Sequence, residues 1–184
     1  ILAGDGLLTD AFWVMSRASV PPERLLAALA ELALAAGSSG MVGGQQWDML
    51  YTGLPQVSLT ELQTMHAMKT GALLRASCLC GALLAGAEEG RQHAIAAYGA
   101  ALGAAFQIAD DILDLVSDTA TLGKPVGSDA AQGKNTYPSL LGLEKSRAMA
   151  QAKACEAQVA LEGLEGDEAD FLRALADYTV RRTT

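Results

Sequence analysis

The run EGRQHAIAAYGAALGAAFQIADDILDLVSD, Glu89 to Asp118, is the longest stretch of helical periodicity in the chain. Its small residues Gly99, Ala100, Gly103 and Ala104 leave room for a neighbouring helix to approach closely. A helix of this length and apolar content needs other helices around it. No other segment contradicts that, since none alternates apolar and polar residues with a period of two. The chain of 184 residues is 51% apolar, rich in alanine and leucine, and only 5% aromatic. That composition suits packed helices better than a sheet. Its length suffices for one domain with a real core. We find no internal repeat and no linker, and read residues 1–184 as a single all-α domain.

The rest of the chain reads as shorter helices. Leu7, Leu8, Ala11, Phe12 and Met15 have helical spacing, and SVPPE ends that helix. Pro22 or Glu23 begins the next, ERLLAALAELALAAG, with Gly37 as its C-cap. SSGMVGGQQWDMLY is a further helix, loosened by Gly43 and Gly44, and TGLPQVS is a loop. Ser58 and Glu61 have the spacing of a capping box. They precede a long segment that Gly71, Gly81 and Gly86 make suspect as one rod. Residues 119–138 form a polar, glycine-rich loop, long enough in a compact domain to suggest function or disorder. Two more helices are expected, about Glu144 to Leu164 and Asp167 to Arg182. Trp13, Trp47 and the methionines are expected in the core.

The formal net charge of −8 argues against a broad nucleic-acid surface, while leaving room for a local basic pocket. Cys78, Cys80 and Cys155 are odd in number and lack metal spacing, which fits a reducing cytoplasm. No stretch of about 18 apolar residues is free of charge and of Gly/Ser breaks, so no transmembrane segment is expected. The chain shows no signal peptide. It begins at Ile1, without methionine, in the lead-in to a helix, and an upstream segment is expected.

Within FQIADDILDLVSD, the residues Gln107, Asp110, Asp111, Asp114 and Asp118 fall on one helix face. Ile108, Ile112 and Leu115 fall on the opposite face and should bury. No basic residue separates the carboxylates, so they repel and disfavour one another's ionisation. Such a row on its own is usually a solvated face. It also suits a divalent cation, and hard carboxylate oxygens suit Mg²⁺ completed by water and phosphate oxygens. Lys124 and Lys134 in the following loop, with Lys69 and Thr70 earlier, add the groups needed to hold a diphosphate alongside the metal. Gln45 and Asp48 follow a glycine pair that reads equally well as a packing notch or as a place of ligand approach. His66 and His93 have no neighbouring nucleophile and read as structural. Cys78 and Cys80 point to different helix faces.

Four segments in order, LAGDGLLTDAF, GMVGGQQWDM, HAMKTGALLRAS and FQIADDILDLVSDTATLGKPVGSDAAQGKNTYPSLLGL, resemble the trans-isoprenyl diphosphate synthases, the farnesyl/geranylgeranyl diphosphate synthase family. The last contains the pattern of that family's second aspartate-rich motif, DDxxD, and its lysine signatures. The resemblance implies an antiparallel helical bundle of the isoprenoid synthase type around a central cavity, and a homodimer. It implies condensation of an allylic diphosphate with isopentenyl diphosphate, with Asp110, Asp111 and Asp114 binding Mg²⁺, for which Mn²⁺ could substitute. It assigns substrate contacts to Lys69, Thr70, Gln107, Lys124 and Lys134, and closure over isopentenyl diphosphate to Arg181 or Arg182. Thr70 and Gln107 would also stabilise the developing carbocation.

The family's first aspartate-rich motif, the arginine pair after it and an upstream Gly-Lys-Arg segment are not in this sequence. Little or no synthase activity is therefore expected of this polypeptide alone. Two alternatives remain at this level. One is a non-catalytic partner subunit of a complete synthase, which the intact DDxxD argues against. The other is a terpene cyclase, against which GKPVGSD and KTGALLR favour chain elongation.

Overall fold

The computed structural model describes residues 1–116 and 133–181. Among the described residues there is no strand, and the chain is a set of helices. The first is α1 (Leu2–Ser16), followed by α2 (Pro22–Ala36) and α3 (Met41–Tyr51). A helical unit then runs from α4 (Leu59–His66) through a π turn (Ala67–Gly71) into α5 (Ala72–Ala85). It is followed by α6 (Glu89–Val116), α7 (Tyr137–Leu141), α8 (Leu143–Ala160) and α9 (Asp167–Arg181).

The expected terminators act as anticipated at several ends. Pro22 occupies the first turn of α2, and the Gly37 N–H closes it on Ala33 O at 3.0 Å. The capping box is formed: Ser58 N–H donates to Glu61 Oε2 at 2.8 Å, and Glu61 N–H to Ser58 Oγ at 3.2 Å. The Ser58 hydrogen bonds hold the Glu61 carboxyl below its usual range. The suspected rod is interrupted at its first glycine by the π turn, and Gly86 ends α5 with φ +73. α3 starts at Met41 rather than at Ser38. A short helix, α7, occupies part of what reads in sequence as loop; Thr136 caps it by accepting from Ser139 N–H.

α6 is the centre of the fold. It packs against α5 on one side and α8 on another, α2 lies outside α5, and α9 bridges α6 and α8. α5 and α6 are joined through residues 86–88 and packed side by side, so they run antiparallel. One core cluster gathers Leu62, Met65, Ala105, Ile108, Ile112 and Tyr137 with residues of α8 and α9. A second joins Tyr98, Leu102, Leu161 and Ala176. Ile108 and Ile112 are fully buried as their spacing implies, whereas Leu115 is 53% exposed near the end of α6.

The tryptophans depart from expectation. Trp13 and Trp47 are 60% and 44% exposed, and Met49 is exposed as well; Met65 is the methionine that is fully buried. The reason is positional. α1 makes its helix contacts with α2, and only its Leu8, Ala11, Phe12 and Met15 edge is partly covered. Leu7 and Trp13 lie off that edge, and the Arg17 guanidinium stands over Trp13, 5.3 Å from its ring centre. The segments Pro22–Tyr51 and Leu59–Ala85 reach the length and hydropathy of a bilayer-spanning helix. The first is broken between α2 and α3, however, and both carry ion-paired residues, among them Glu31 with Arg75 and Asp48 with Lys69.

Candidate functional site

The aspartate-bearing face of α6 borders a small polar cavity of about 170 Å³. Four segments of the chain meet there. Gln107, Asp110 and Asp111 come from α6, Asp48 from α3, and His66 and Lys69 from the end of α4 and the π turn. Lys134, Asn135 and Thr136, leading into α7, complete the wall.

Two glycines place the π turn. A Cβ on Gly44 would overlap the Lys69 backbone nitrogen, so only glycine lets α3 press against the turn at that point. From the other side, a Cβ on Gly103 would stand 2.9 Å from Gly71 Cα, so α6 also approaches backbone to backbone. Clamped this way, Lys69 Nζ reaches Asp48 Oδ2 at 2.6 Å. The Thr70 hydroxyl donates to Gln107 Oε1 at 2.7 Å. The glycine pair before Gln45 and Asp48 is thus a packing notch, and Asp48 faces the cavity, while Gln45 is exposed.

The hydrogen bonding continues along α6. Gln107 Nε2 donates to Asp111 Oδ1 at 2.8 Å, and Tyr137 N–H donates to Asp111 Oδ2 at 3.0 Å. The lead-in to α7 is also fixed to the end of α3: Asn135 Nδ2 donates to Tyr51 O at 3.2 Å, and Gly53 N–H to Gly133 O at 3.0 Å. Tyr137 is buried, with its ring 5.5 Å from that of His66. Burial, and then the charge of Asp111, push its phenol well above the ordinary tyrosine range.

Lys69, Thr70, Gln107, Asp110, Asp111 and Lys134, far apart in sequence, are therefore together. Asp114 is 3% exposed and does not line the cavity. Arg181 lies at the end of α9, where its Nε meets Asp177 Oδ2 at 2.7 Å, and also falls outside the lining. Lys124, Asp118 and Arg182 lie outside the described residues. Sequence reasoning does not single out Asn135, Thr136 or His66 as site residues. The first two stand within GKNTYP beside Lys134, which is the available signal.

Among the described residues, no three acidic, histidine or cysteine side chains form a group that could hold a metal ion. The donor set nonetheless suits a hard cation completed by water and phosphate oxygens, which needs only one or two carboxylates. Among the described residues the Asp110 side chain has no hydrogen bond or ion pair, and it borders the cavity together with two lysines.

His66 also lines a second cavity, larger and mainly apolar, of about 510 Å³. Ala72, Ala104, Ile108 and Met68 form part of its wall, and the Glu31–Arg75 ion pair and Lys153 stand at its border. Inside the helical bundle, a small polar chamber and a larger apolar one thus share His66 in their walls.

Residues 1–170 match the polyprenyl synthetase family, and the chain belongs to it. It is 45% identical over 189 residues to the farnesyl diphosphate synthase of Escherichia coli, covering 99% of this chain and 62% of that protein. The geranylgeranyl pyrophosphate synthetase of Pyrococcus horikoshii is similar in structure, with TM-score 0.86 and 30% identity over 99% of this chain and 66% of that one. So is the Helicobacter pylori geranyltransferase solved with magnesium and isoprenyl diphosphate, with TM-score 0.81 and 28% identity over 98% and 59% of the two chains. The chain spans 50% to 62% of the length of curated relatives such as the Capsicum annuum geranylgeranyl pyrophosphate synthase and the Escherichia coli enzyme.

Proposed function

We propose that this chain serves a chain-elongating prenyltransferase, which joins an allylic diphosphate to isopentenyl diphosphate and releases diphosphate and a proton. The observation that carries this reading is the meeting of Lys69, Lys134, Asp110 and Gln107 at one polar cavity that shares His66 with an apolar one. The two chambers match the two halves of an allylic diphosphate.

Lys69 and Lys134 would contact the diphosphate oxygens, and Asp110 would hold Mg²⁺, with Mn²⁺ as a substitute. The metal, when bound, supplies positive charge against which the departing diphosphate is stabilised. Thr70 and Gln107, hydrogen-bonded to each other, would stabilise positive charge developing on the reacting carbon. The allylic carbon–oxygen bond breaks, the alkene of isopentenyl diphosphate attacks the allylic carbon, and a proton passes to the released diphosphate. No catalytic histidine is needed. The apolar wall of Ala72, Ala104 and Ile108 would shield the cation from water. On the sequence match alone, Lys124 joins the diphosphate contacts, Asp114 the metal site, and Arg181 or Arg182 the closure over isopentenyl diphosphate.

A homodimer accords with the uncovered apolar side chains of α1 and α2, such as Leu7, Trp13 and Leu26. The thiols Cys78, Cys80 and Cys155 are unbridged, in keeping with a reducing cytoplasm.

The test is calorimetry of this chain with inorganic diphosphate, with and without Mg²⁺. Binding that requires both, and that drops at least tenfold in Lys69→Ala and in Lys134→Ala, is expected. Absence of any Mg²⁺-dependent diphosphate binding would overturn the reading.

A further inference from the structure

Asp111 stands in the middle of the aspartate row, yet its surroundings differ from those of Asp110. It is 4% exposed, and both of its oxygens are engaged within the fold. Oδ1 accepts from the Gln107 amide and Oδ2 from the Tyr137 backbone. A carboxylate only accepts hydrogen bonds, so it can meet only the NH₂ end of Gln107. That turns Gln107 Oε1 the other way, towards the Thr70 hydroxyl. The bond to Tyr137 does something separate. It ties the first residue of α7 to α6, and with it the preceding segment that brings Lys134 to the cavity. The Asp110 side chain, one residue earlier, borders the same cavity but has no such engagement among the described residues.

We propose that Asp111 is a positioning residue rather than a metal ligand. It fixes which way the Gln107 amide faces and anchors the Lys134 segment, leaving Asp110 as the carboxylate of the adjacent pair that meets a metal–diphosphate ligand. For the nature of that ligand the inference rests on the function proposed above; the hydrogen-bond geometry stands apart from it.

The geometry makes a reciprocal exchange possible. Asp111→Asn turns one acceptor into an NH₂ group. However the new amide is oriented, that group faces another donor, either Gln107 Nε2 or Tyr137 N–H. Adding Gln107→Glu restores the pattern. The amide introduced at position 111 would then donate to one oxygen of the carboxylate introduced at position 107, and accept from Tyr137. The other oxygen of that carboxylate would still accept from Thr70. The number of carboxylates is unchanged, but the one at position 111 is gone.

Two readouts on the full chain decide the matter. One is hydrogen exchange at the Tyr137 amide without ligand. The other is calorimetry with inorganic diphosphate and Mg²⁺. Asp111→Asn should speed Tyr137 exchange at least tenfold and weaken diphosphate binding, and Asp111→Asn with Gln107→Glu should bring both within about threefold of wild type. Asp110→Asn should abolish Mg²⁺-dependent binding and leave Tyr137 exchange unchanged. If Asp111→Asn abolishes binding with Tyr137 still protected, or if the double variant rescues neither readout, Asp111 is not a positioning residue. If Asp111→Asn does not fold, folding of the double variant with Tyr137 protected is itself the rescue. If neither folds, the Gln107 side-chain amide of wild type decides: slow exchange without Mg²⁺ supports the anchored arrangement, and solvent-like exchange overturns it. A wild-type chain that binds no diphosphate would sink the functional reading while the exchange measurements still settle the role of Asp111.

Discussion

Lys69 and Asp48 meet with side chains only 30% and 13% exposed. Truncating one partner leaves the other charge partly buried, which costs more than the pair itself contributes. Lys69→Met should lower unfolding stability by about 1–3 kcal/mol in urea titration. Adding Asp48→Asn should recover a good part of that, because the stranded charge is then gone. An additive loss in the double variant would show that the two groups do not interact. Gly44 carries a sharper constraint at the same spot, since what crowds it is the Lys69 backbone, which cannot turn aside as a side chain can. Gly44→Ala should cost about 1–3 kcal/mol and also weaken diphosphate binding. Gly81 is the contrast. A Cβ there meets nothing within 4 Å, and Gly81→Ala should stabilise α5 by about 0.5–1 kcal/mol. A measured loss would mean that something covers that face of α5.

At the level of the helices, Tyr98 links α6 to α9, its hydroxyl donating to Leu172 O at 2.8 Å while the residue is fully buried. Burial, with a smaller contribution from the Cys78 thiol, raises its phenol from 10.0 to about 12. A group whose folded pKa is raised contributes stability that is complete below the unfolded value and is lost as pH climbs through the folded one. The fold should therefore lose stability between about pH 10 and 12. Tyr98→Phe should remove Tyr98's share of that alkaline slope, measured by urea midpoints across the range. Much of this helical level is legible in the sequence. The stop at Gly37, the capping box at Ser58 and the aspartate row of α6 are signals read within a few residues of where they act. The short α7 and the π turn are not legible in that way. α7 is held by Asp111, far back on α6, and the turn is shaped by contacts from Gly44 and Gly103. For the same reason the three aspartates that the resemblance assigns to Mg²⁺ stand in different environments: Asp110 and Asp111 both border the cavity, Asp111 with both oxygens hydrogen-bonded, and Asp114 is buried outside its lining.

For the molecule as a whole, the outer faces of α1 and α2 are the least settled part of the surface. Trp13 is exposed on α1 and Trp47 on α3, so both indoles should report a watery environment when the chain is dilute. If α1 pairs with a second copy, rising protein concentration should shift the Trp13 emission to shorter wavelength and increase the sedimentation coefficient together. Trp13→Ser should diminish both changes. Emission that stays red while the chain assembles would place the contact elsewhere. The sequence does not reveal this exposure, because apolar spacing on α1 marks an edge that packs and says nothing of what lies beyond it.

The π turn has a last consequence, one that concerns length rather than composition. Ala67–Gly71 is a wider turn spliced between two α-helices. Dropping one residue from it would let the chain close into ordinary α-helix, which advances by about 100° per residue. Lys69 and Thr70 would then swing away from Asp48 and Gln107, or α5 would rotate out of its seat on α6, although every remaining side chain were kept. Substitutions can be absorbed one atom at a time at the margins of this site. A deletion here cannot, and a gene encoding this fold is expected to vary in the letters of this segment long before it varies in their number.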